Sequence, residues 1–485
     1  MKKFKVFLFI VAASLFAACD DAIDIQQPSE LLPENTFETV KDMQTGLNAV
    51  YGAIPGENAI YFTSLFTDEV KLGRSNGGQG TDGQLAFQLN NNSSDAASIW
   101  VGNYYAINLA NRLIAGAENV TLLEGEEDLY NSLLAEAHFI RAFAHFQLMT
   151  YFSEDMENDA ALGVILVDYV PTTDMQKPRN TNGEVYAFIN SDLDFADANL
   201  NDTDVAFGGI TGVSKKTITA LRARMAAYRG QYQAAFDYVN AISPSVNTLI
   251  ARNRYADMFR ENKNNDEVIW KLERANVSGE PTGNFSQFWS SVNSTITGSP
   301  FFEVSTALYN KLAPGDIRRE TVIDPTASTV SYAIRPIGKY SKSESKIFLG
   351  DVMVFRRSEM VLLKAEYYAS VSDFTNVAAE INRIRTARFS NPTPSLIPVP
   401  ANAEAAWAAI LNERRIELAF EGHRYVDLRR LGEKANVTVD RETSDFTWNQ
   451  AYSIPITDHR WVLPIPRPEQ AANPGIQQNP GYGDN

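Results

Sequence analysis

Apolar residues recur at three- and four-residue intervals along most of the chain, the pattern of helices that bury one face. Val40, Met43, Leu47, Val50 and Tyr51 mark a first helix, and Ile107, Leu109, Leu113 and Ile114 continue a second that begins near Ile99. The longest, 127–152, runs from Leu129, Leu133 and Leu134 through Ala137, Phe139, Ile140 and Phe143 to Leu148. It is apolar over much of its surface, so a central position is expected. Another, 183–200, follows the Pro178 turn and carries Val185, Ile189, Leu193 and Ala196. Residues 219–240 hold two helical stretches around Gly230, and 359–388 repeat that form with a break near Ser372 and Asp373. Strand-like pieces such as EVIWKLE, 267–273, are short and few.

The two helix pairs resemble tetratricopeptide hairpins, with small alanines where the helices must approach. The expected fold is mainly α, a tetratricopeptide-like helical scaffold with long irregular loop insertions and a few short strands. Long loops without secondary structure are uncommon unless functional or disordered. Three stand out: 73–98, rich in Gly, Asn, Gln, Ser and Asp; 275–304, which adds Phe285, Phe288, Trp289, Phe301 and Phe302; and 434–460, with Trp448, Tyr452 and His459. Rings among amides and hydroxyls suit carbohydrate, because ring faces cover apolar C–H patches while polar groups fix the hydroxyls. The competing reading is that these rings pin the loops to the scaffold. Trp289 is the first candidate for ligand contact, with Phe288 and Phe285 beside it. Arg74 and Asn76 in the first loop are candidate hydrogen-bonding groups, and Trp100 at its end is a second ring, although a tryptophan entering a helix commonly belongs to the core.

The stretch ERRIELAFEGHRYVDLRR, 413–430, crowds acids, arginines and a histidine between apolar residues, the side chains of hydrolytic chemistry. Its spacing argues for architecture. Glu413, Glu417 and Glu421 repeat at four and share one helix stripe, with Ile416 and Phe420 on a neighbouring one. Gly422 is expected to end that helix, and a second helix with Tyr425, Leu428 and Leu431 inward is expected to end at Gly432. Arg414, Arg415, Arg424, Arg429 and Arg430 nearly match the acids and permit pairing across the turn. His138 and His145 lack the H-E-x-x-H spacing and a third ligand, so they are read as packed or hydrogen-bonded. NDTDVAFGG, 201–209, begins like a calcium loop but lacks its glycine and closing glutamate. Nucleophile-elbow, Walker and dinucleotide motifs are absent from the sequence. No catalytic residue, metal site or cofactor is expected; paired carboxylates for glycoside hydrolysis stay open, since their separation cannot be read from sequence.

Lys2, Lys3 and Lys5 precede an apolar run from Val6 to Phe16 that stops at Ala17 and Ala18, the layout of a signal peptide over 1–18. The run falls short of the roughly 20 apolar residues of a membrane-spanning helix. Cys19, the one cysteine, follows, and the stretch resembles a bacterial lipoprotein lipobox, with Phe16 where Leu is preferred and Leu15 one place earlier. Acylation of Cys19 is therefore expected, and Asp20 and Asp21 resemble surface-export signals. Removing 1–18 takes three of the 43 basic residues and none of the 59 acidic ones, so net charge moves from −16 to −19. Such a charge repels phosphate backbones and argues against nucleic acid. With its sulfur spent on lipid, the chain has no internal disulfide or thiol nucleophile and must be stabilised by core burial. No Pro/Ser-rich or charged linker divides it, so 19–485 is expected as a single domain.

The order of segments, behind a lipoprotein signal, resembles the SusD/RagB-like family of outer-membrane nutrient-binding lipoproteins. The resemblance runs from FETVKDMQTGLNAVYGAI (37–54) and IWVGNYYAINLANRLI (99–114) through LLAEAHFIRAFAHFQLMTYF (133–152), PRNTNGEVYAFINSDLDFADANL (178–200) and RRSEMVLLKAEYYA (356–369) to NERRIELAFEGHRYVDLRRLG (412–432) and LPIPRPEQAANP (463–474). It implies non-catalytic, cell-surface binding of glycans or oligosaccharides, with peptides in some branches. It also implies delivery to a SusC-like TonB-dependent transporter, and attachment to the outer membrane through the N-terminal lipid. A surface hydrolase and a protein-binding scaffold are the alternative readings.

Overall fold

The computed structural model describes residues 37–483 except 74–75, 80–81, 173, 202–208, 243–247, 264, 275–299, 325–333, 341, 344–345 and 348–349. Among these the helices are α1 (Val40–Gly52), α2 (Gly56–Phe66), α3 (Ser94–Ala117), α4 (Glu127–Phe152), α5 (Asn182–Asn199), α6 (Lys215–Tyr228), α7 (Tyr232–Ile242) and α8 (Arg252–Arg260). They continue with the short α9 (Thr306–Lys311) and α10 (Ile317–Val322), then α11 (Arg357–Ser370), α12 (Phe374–Arg388), α13 (Ala403–Glu417), α14 (Arg424–Ala435) and α15 (Arg467–Ala472). Strands β1 (Val70–Leu72), β2 (Val268–Leu272), β3 (Phe302–Val304), β4 (Lys342–Ser343), β5 (Lys346–Ile347) and β6 (Val352–Arg356) form three antiparallel pairs, β1–β3, β2–β6 and β4–β5. The fold is mainly α, with few and short strands.

Local chemistry starts and stops these helices. Thr39 accepts from the Asp42 N–H at 3.3 Å while the Asp42 carboxylate accepts from the Thr39 N–H at 2.9 Å, a capping box that opens α1. Thr181 and Glu184 do the same for α5. The α6–α7 turn passes through Gly230 at φ +68° and the α11–α12 turn through Ser372 at φ +60°, at the breaks expected from sequence. Asp373 then caps α12, accepting from the Asn376 N–H at 3.1 Å.

The α13–α14 hairpin departs from expectation at both ends. α13 stops at Glu417, a turn before Gly422, and the link runs through Phe420 at φ +60° and Gly422 at φ +81°. α14 passes through Gly432 and ends at Asn436, φ +51°. Gly432 supplies close approach and not a stop: a Cβ there would lie 2.6 Å from the Ile456 side chain and 2.7 Å from the Val437 carbonyl. α7 packs on α11, and α11 on α13, so the three hairpins stack side by side.

α4 packs between α3 and α5 and is buried along most of its length, as its apolar circumference predicts. Around it the main core gathers side chains from Val40 to Ile476. Trp270 of β2 is fully buried, edge-on to Phe139 and Phe143 at 5.3 and 5.2 Å. A second core lies under β1 and β3, built from Ile60, Leu65, Val70, Leu85, Phe302, Phe420 and Phe446 among others.

Candidate ligand-binding site

The glutamates of 413–430 are buried and engaged by basic side chains. Glu417 lies among Arg318, Arg356 and Arg388 at 3.3, 3.1 and 2.9 Å, all four side chains buried. Burial alone would raise the Glu417 carboxyl, but Arg388, Arg356 and Arg318 outweigh it and hold it far below the usual carboxylate range. Glu413 pairs with Arg318 and Arg385, and Glu421 with Lys339 and Arg356. The pairing expected across the turn exists as Arg414 with Asp427, 2.8 Å, whereas Arg430 reaches out of the hairpin to Glu366 of α11, 3.0 Å. This stretch is an ionic core. The two helix histidines are similarly engaged. His138 sits 2.6 Å from Asp192, and His145 bonds the Arg141 carbonyl at 2.9 Å, burial pushing its imidazole down to about 4. Among the described residues no group of three or more His, Cys, Asp or Glu is placed to hold a metal ion, and no helix is long and apolar enough to cross a membrane.

The described parts of the three polar loops meet at the β1–β3 pair. β1 pairs with β3 in the register Val70↔Val304, Lys71↔Glu303, Leu72↔Phe302, so the first loop leaves where the second returns. The Gly73 N–H donates to the Phe301 carbonyl at 2.8 Å, and a Cβ on Gly73 would sit 2.1 Å from the Pro300 oxygen. The third loop is clamped onto the first by Arg441. Its guanidinium donates to the carbonyls of Leu65, Phe66, Thr67, Leu85 and Ala451 at 2.7–3.0 Å, with Phe87 and Phe446 rings 4.1 and 4.4 Å from its centre. Burial pushes this guanidinium down to about 9, Asp68 opposing. Asp445 ties the same loop to α9, accepting from the Thr306 N–H at 2.7 Å and hydroxyl at 2.9 Å.

Of the candidate residues, Asn76 lies at this face, its side-chain oxygen accepting from the Gly78 N–H at 2.6 Å to hold its own turn. Trp100 does not. It is 2 % exposed, packed on Tyr104 and Phe152 at 4.8 and 4.9 Å, with its indole N–H donating to Glu469 at 3.3 Å, so it is a core ring with no face left for a ligand. Arg74, Phe285, Phe288, Trp289 and Cys19 lie outside the described residues. The described rings at the face are Phe301, half-buried against Phe302, Tyr61, edge-on to Phe302 at 6.2 Å, half-buried Tyr452, and Trp448, 37 % exposed and 5.6 Å from Phe446. His459 of the third loop packs instead on Tyr482, 5.0 Å away. Sequence reasoning missed Tyr61 and also Tyr309, a half-buried ring with the Arg335 and Arg319 guanidiniums 3.9 and 4.5 Å from its centroid. No local signal joins three residues spread from 309 to 335. The arrangement offers ring faces beside amide and guanidinium donors.

Two family models match the chain: the SusD family over residues 321–482, and a SusD-like model described as starch-binding, associating with the outer membrane, over 20–226. A SusD-like protein P2 of Formosa agariphila is 25% identical over 543 aligned residues, covering 99% of this chain and all of that protein. A SusD-like protein of Bacteroides ovatus is 23% identical over 344, covering 63% of this chain and 59% of that protein. Among solved structures, a SusD superfamily protein from Bacteroides thetaiotaomicron superposes with a TM-score of 0.76 at 22% identity, covering 91% of this chain and 100% of that one. A laminarin-binding SusD-like protein gives 0.68 at 23% identity, covering 92% and 100%. By two family models that together span 20–226 and 321–482, and by relatives aligned over nearly its whole length, the chain is similar to the SusD/RagB-like family.

Proposed function

We propose that this protein is a lipid-anchored binding protein on the outer face of the outer membrane, which grips glycans or oligosaccharides on the three-loop face and passes them to a SusC-like TonB-dependent transporter. The observation that carries the reading is the convergence of the described parts of three polar loops, with partly exposed rings, on the β1–β3 pair. Ring faces on sugar C–H patches and side-chain donors on hydroxyls supply binding without chemistry. The laminarin-binding neighbour and the starch-binding family description favour saccharide over peptide. Trp448 joins Trp289, Phe288, Phe285, Arg74 and Asn76 as a proposed ligand residue. Lipid on Cys19 anchors the chain, the stretch 1–18 being its signal peptide and 19–485 one binding domain.

A glycan array run beside a peptide-mixture pull-down tests the ligand class. Calorimetry on Trp448→Ala, Trp289→Ala and Arg74→Ala then tests the site, and each is expected to weaken binding about tenfold or more, the loss of one ring or charged hydrogen bond. Full-strength binding in all three moves the site elsewhere, and capture of peptides alone overturns the saccharide reading. Stable interfaces bury about 1,200 Å² or more, so purification in mild detergent is expected to retain the barrel partner.

A further inference from the structure

Beside the three-loop face a second cleft, of about 470 Å³, opens between the end of α9, the middle of α13 and the start of the third loop. Lys311, Arg415 and Arg424 line it. Arg424 is fully engaged, both Asp68 oxygens accepting from it at 2.9 Å. Arg415 is engaged only in part. Its Nε lies 3.3 Å from Asp68 without hydrogen-bond geometry, its Nη2 donates to the Asp68 and Asp440 carbonyls at 3.2 and 3.5 Å, and its Nη1 meets the Asp440 carboxylate at 3.7 Å. Asp440 points into solvent, and so exposed a pair contributes little. Half-buried Lys311 has no hydrogen bond or ion pair among the described residues. Burial pushes its ammonium down, and Arg415 pushes the same way. At the cleft itself the three cations meet the Asp68 and Asp440 carboxylates, with Glu69 and Asp427 acting on the arginines from behind, so the group left without a partner there, among the described residues, is Lys311. A partly desolvated cation without a counter-ion costs stability that an arriving anion recovers.

We propose that this cleft is an anion subsite that takes the carboxylate or sulfate group of an acidic saccharide, gripped by the Lys311 ammonium and Nη1 of Arg415, with the side-chain amides of Asn412 and Asn436 left for hydroxyls. The proposal rests on the saccharide reading above and adds the charge class of the ligand. Tyr309 and Lys311 share the short helix α9, and Arg441 follows Asp440 directly, so the cleft adjoins the face described above.

Calorimetry on the full mature chain with maltopentaose, a galacturonate pentamer and a sulfated carrageenan oligosaccharide tests it. At least one acidic probe is expected to bind about tenfold tighter than the neutral one, and the preference is expected to shrink when ionic strength rises to about 0.5 M. Which acidic probe wins identifies carboxylate or sulfate as the group taken. Lys311→Gln is expected to bring the acidic and neutral probes to equal affinity. Without ligand, Lys311→Met is expected to melt no lower than the parent chain, because the lysine has no native partner to lose; a much lower melt assigns it a structural role and overturns the subsite. Neutral binding with no acidic preference overturns the subsite alone. Binding of none of the three probes overturns it together with the saccharide reading.

Discussion

Glu69 sits fully buried beside Asp68, accepting from the Phe420 N–H and the Ser64 hydroxyl, each at 2.9 Å. Burial pushes its carboxyl up from 4.5 to about 7; the two hydrogen bonds oppose this and Asp68 adds to it. A pKa raised by folding means that the protonated form is favoured in the fold. That contribution is complete below 4.5 and is lost as pH rises through about 7. Glu69→Gln keeps an oxygen for the Phe420 N–H and sets an amide NH2 against the Ser64 hydroxyl, which can turn to accept from it. Without the charge it is expected to melt higher than the parent at about pH 8, by an amount corresponding to at most about 3 kcal/mol, and to match it near pH 5. Paired thermal melts across that range check this. His145 has the opposite sign, its stabilisation present above 6.5 and lost as pH falls through about 4, and it cancels between the two chains. Single residues are also where sequence reading is weakest. Trp100 and Trp448 each stand near polar loop sequence, yet the first is sealed inside the bundle by helix phase and the second is exposed. Composition does not encode that difference; it arises from which way the backbone turns at each position.

The helix hairpins were legible because their causes are local: apolar spacing, Gly230, and the Ser372–Asp373 pair act within a turn or two of themselves. α2 escaped notice because it is buried almost all round, with Ala59, Ile60, Phe62, Leu65 and Phe66 on several sides and no polar face to give a period. The pairing of β1 with β3 was illegible for a different reason, since Val70 and Val304 meet across a long separation and each strand has only three residues. The candidate site depends on that pairing, so the ingredients of the site could be read and their assembly could not. Gly73 is the element's weak point. Gly73→Ala drives a Cβ into the Pro300 carbonyl, an atom of backbone that cannot swing aside, so the two loops must separate. Ligand affinity is expected to fall at least about tenfold by calorimetry, while the melting temperature shifts only a few degrees, because the main core lies elsewhere.

Across the whole molecule, Glu417 joins parts of the chain that no loop connects directly: Arg318 from α10, Arg356 from the end of β6 and Arg388 from α12 converge on it. Removing one partner of such a buried group leaves charge unpaired and costs about 3–5 kcal/mol. Glu417→Leu removes the one carboxylate that the three arginines share, leaving Arg318 to Asp316 and Glu413, Arg356 to Glu267 and Glu421, and Arg388 to Glu267. It is expected to destabilise the fold by about that order in a single transition, whereas Glu404→Leu, at the exposed start of α13, is expected to change stability by less than about 0.5 kcal/mol. Chemical denaturation of the two variants checks the contrast. The Arg441 clamp has a different consequence. Every oxygen it holds belongs to the main chain, at Leu65, Phe66, Thr67, Leu85 and Ala451, and peptide oxygens are the same whatever residue carries them. Apart from the flanking Phe87 and Phe446, the buried Leu85 and the Asp445 carboxylate, the side chains along the clamped loops can be rewritten by mutation without disturbing this attachment. A lineage that meets an unfamiliar polymer then has only surface lettering to change, and inherits the frame intact.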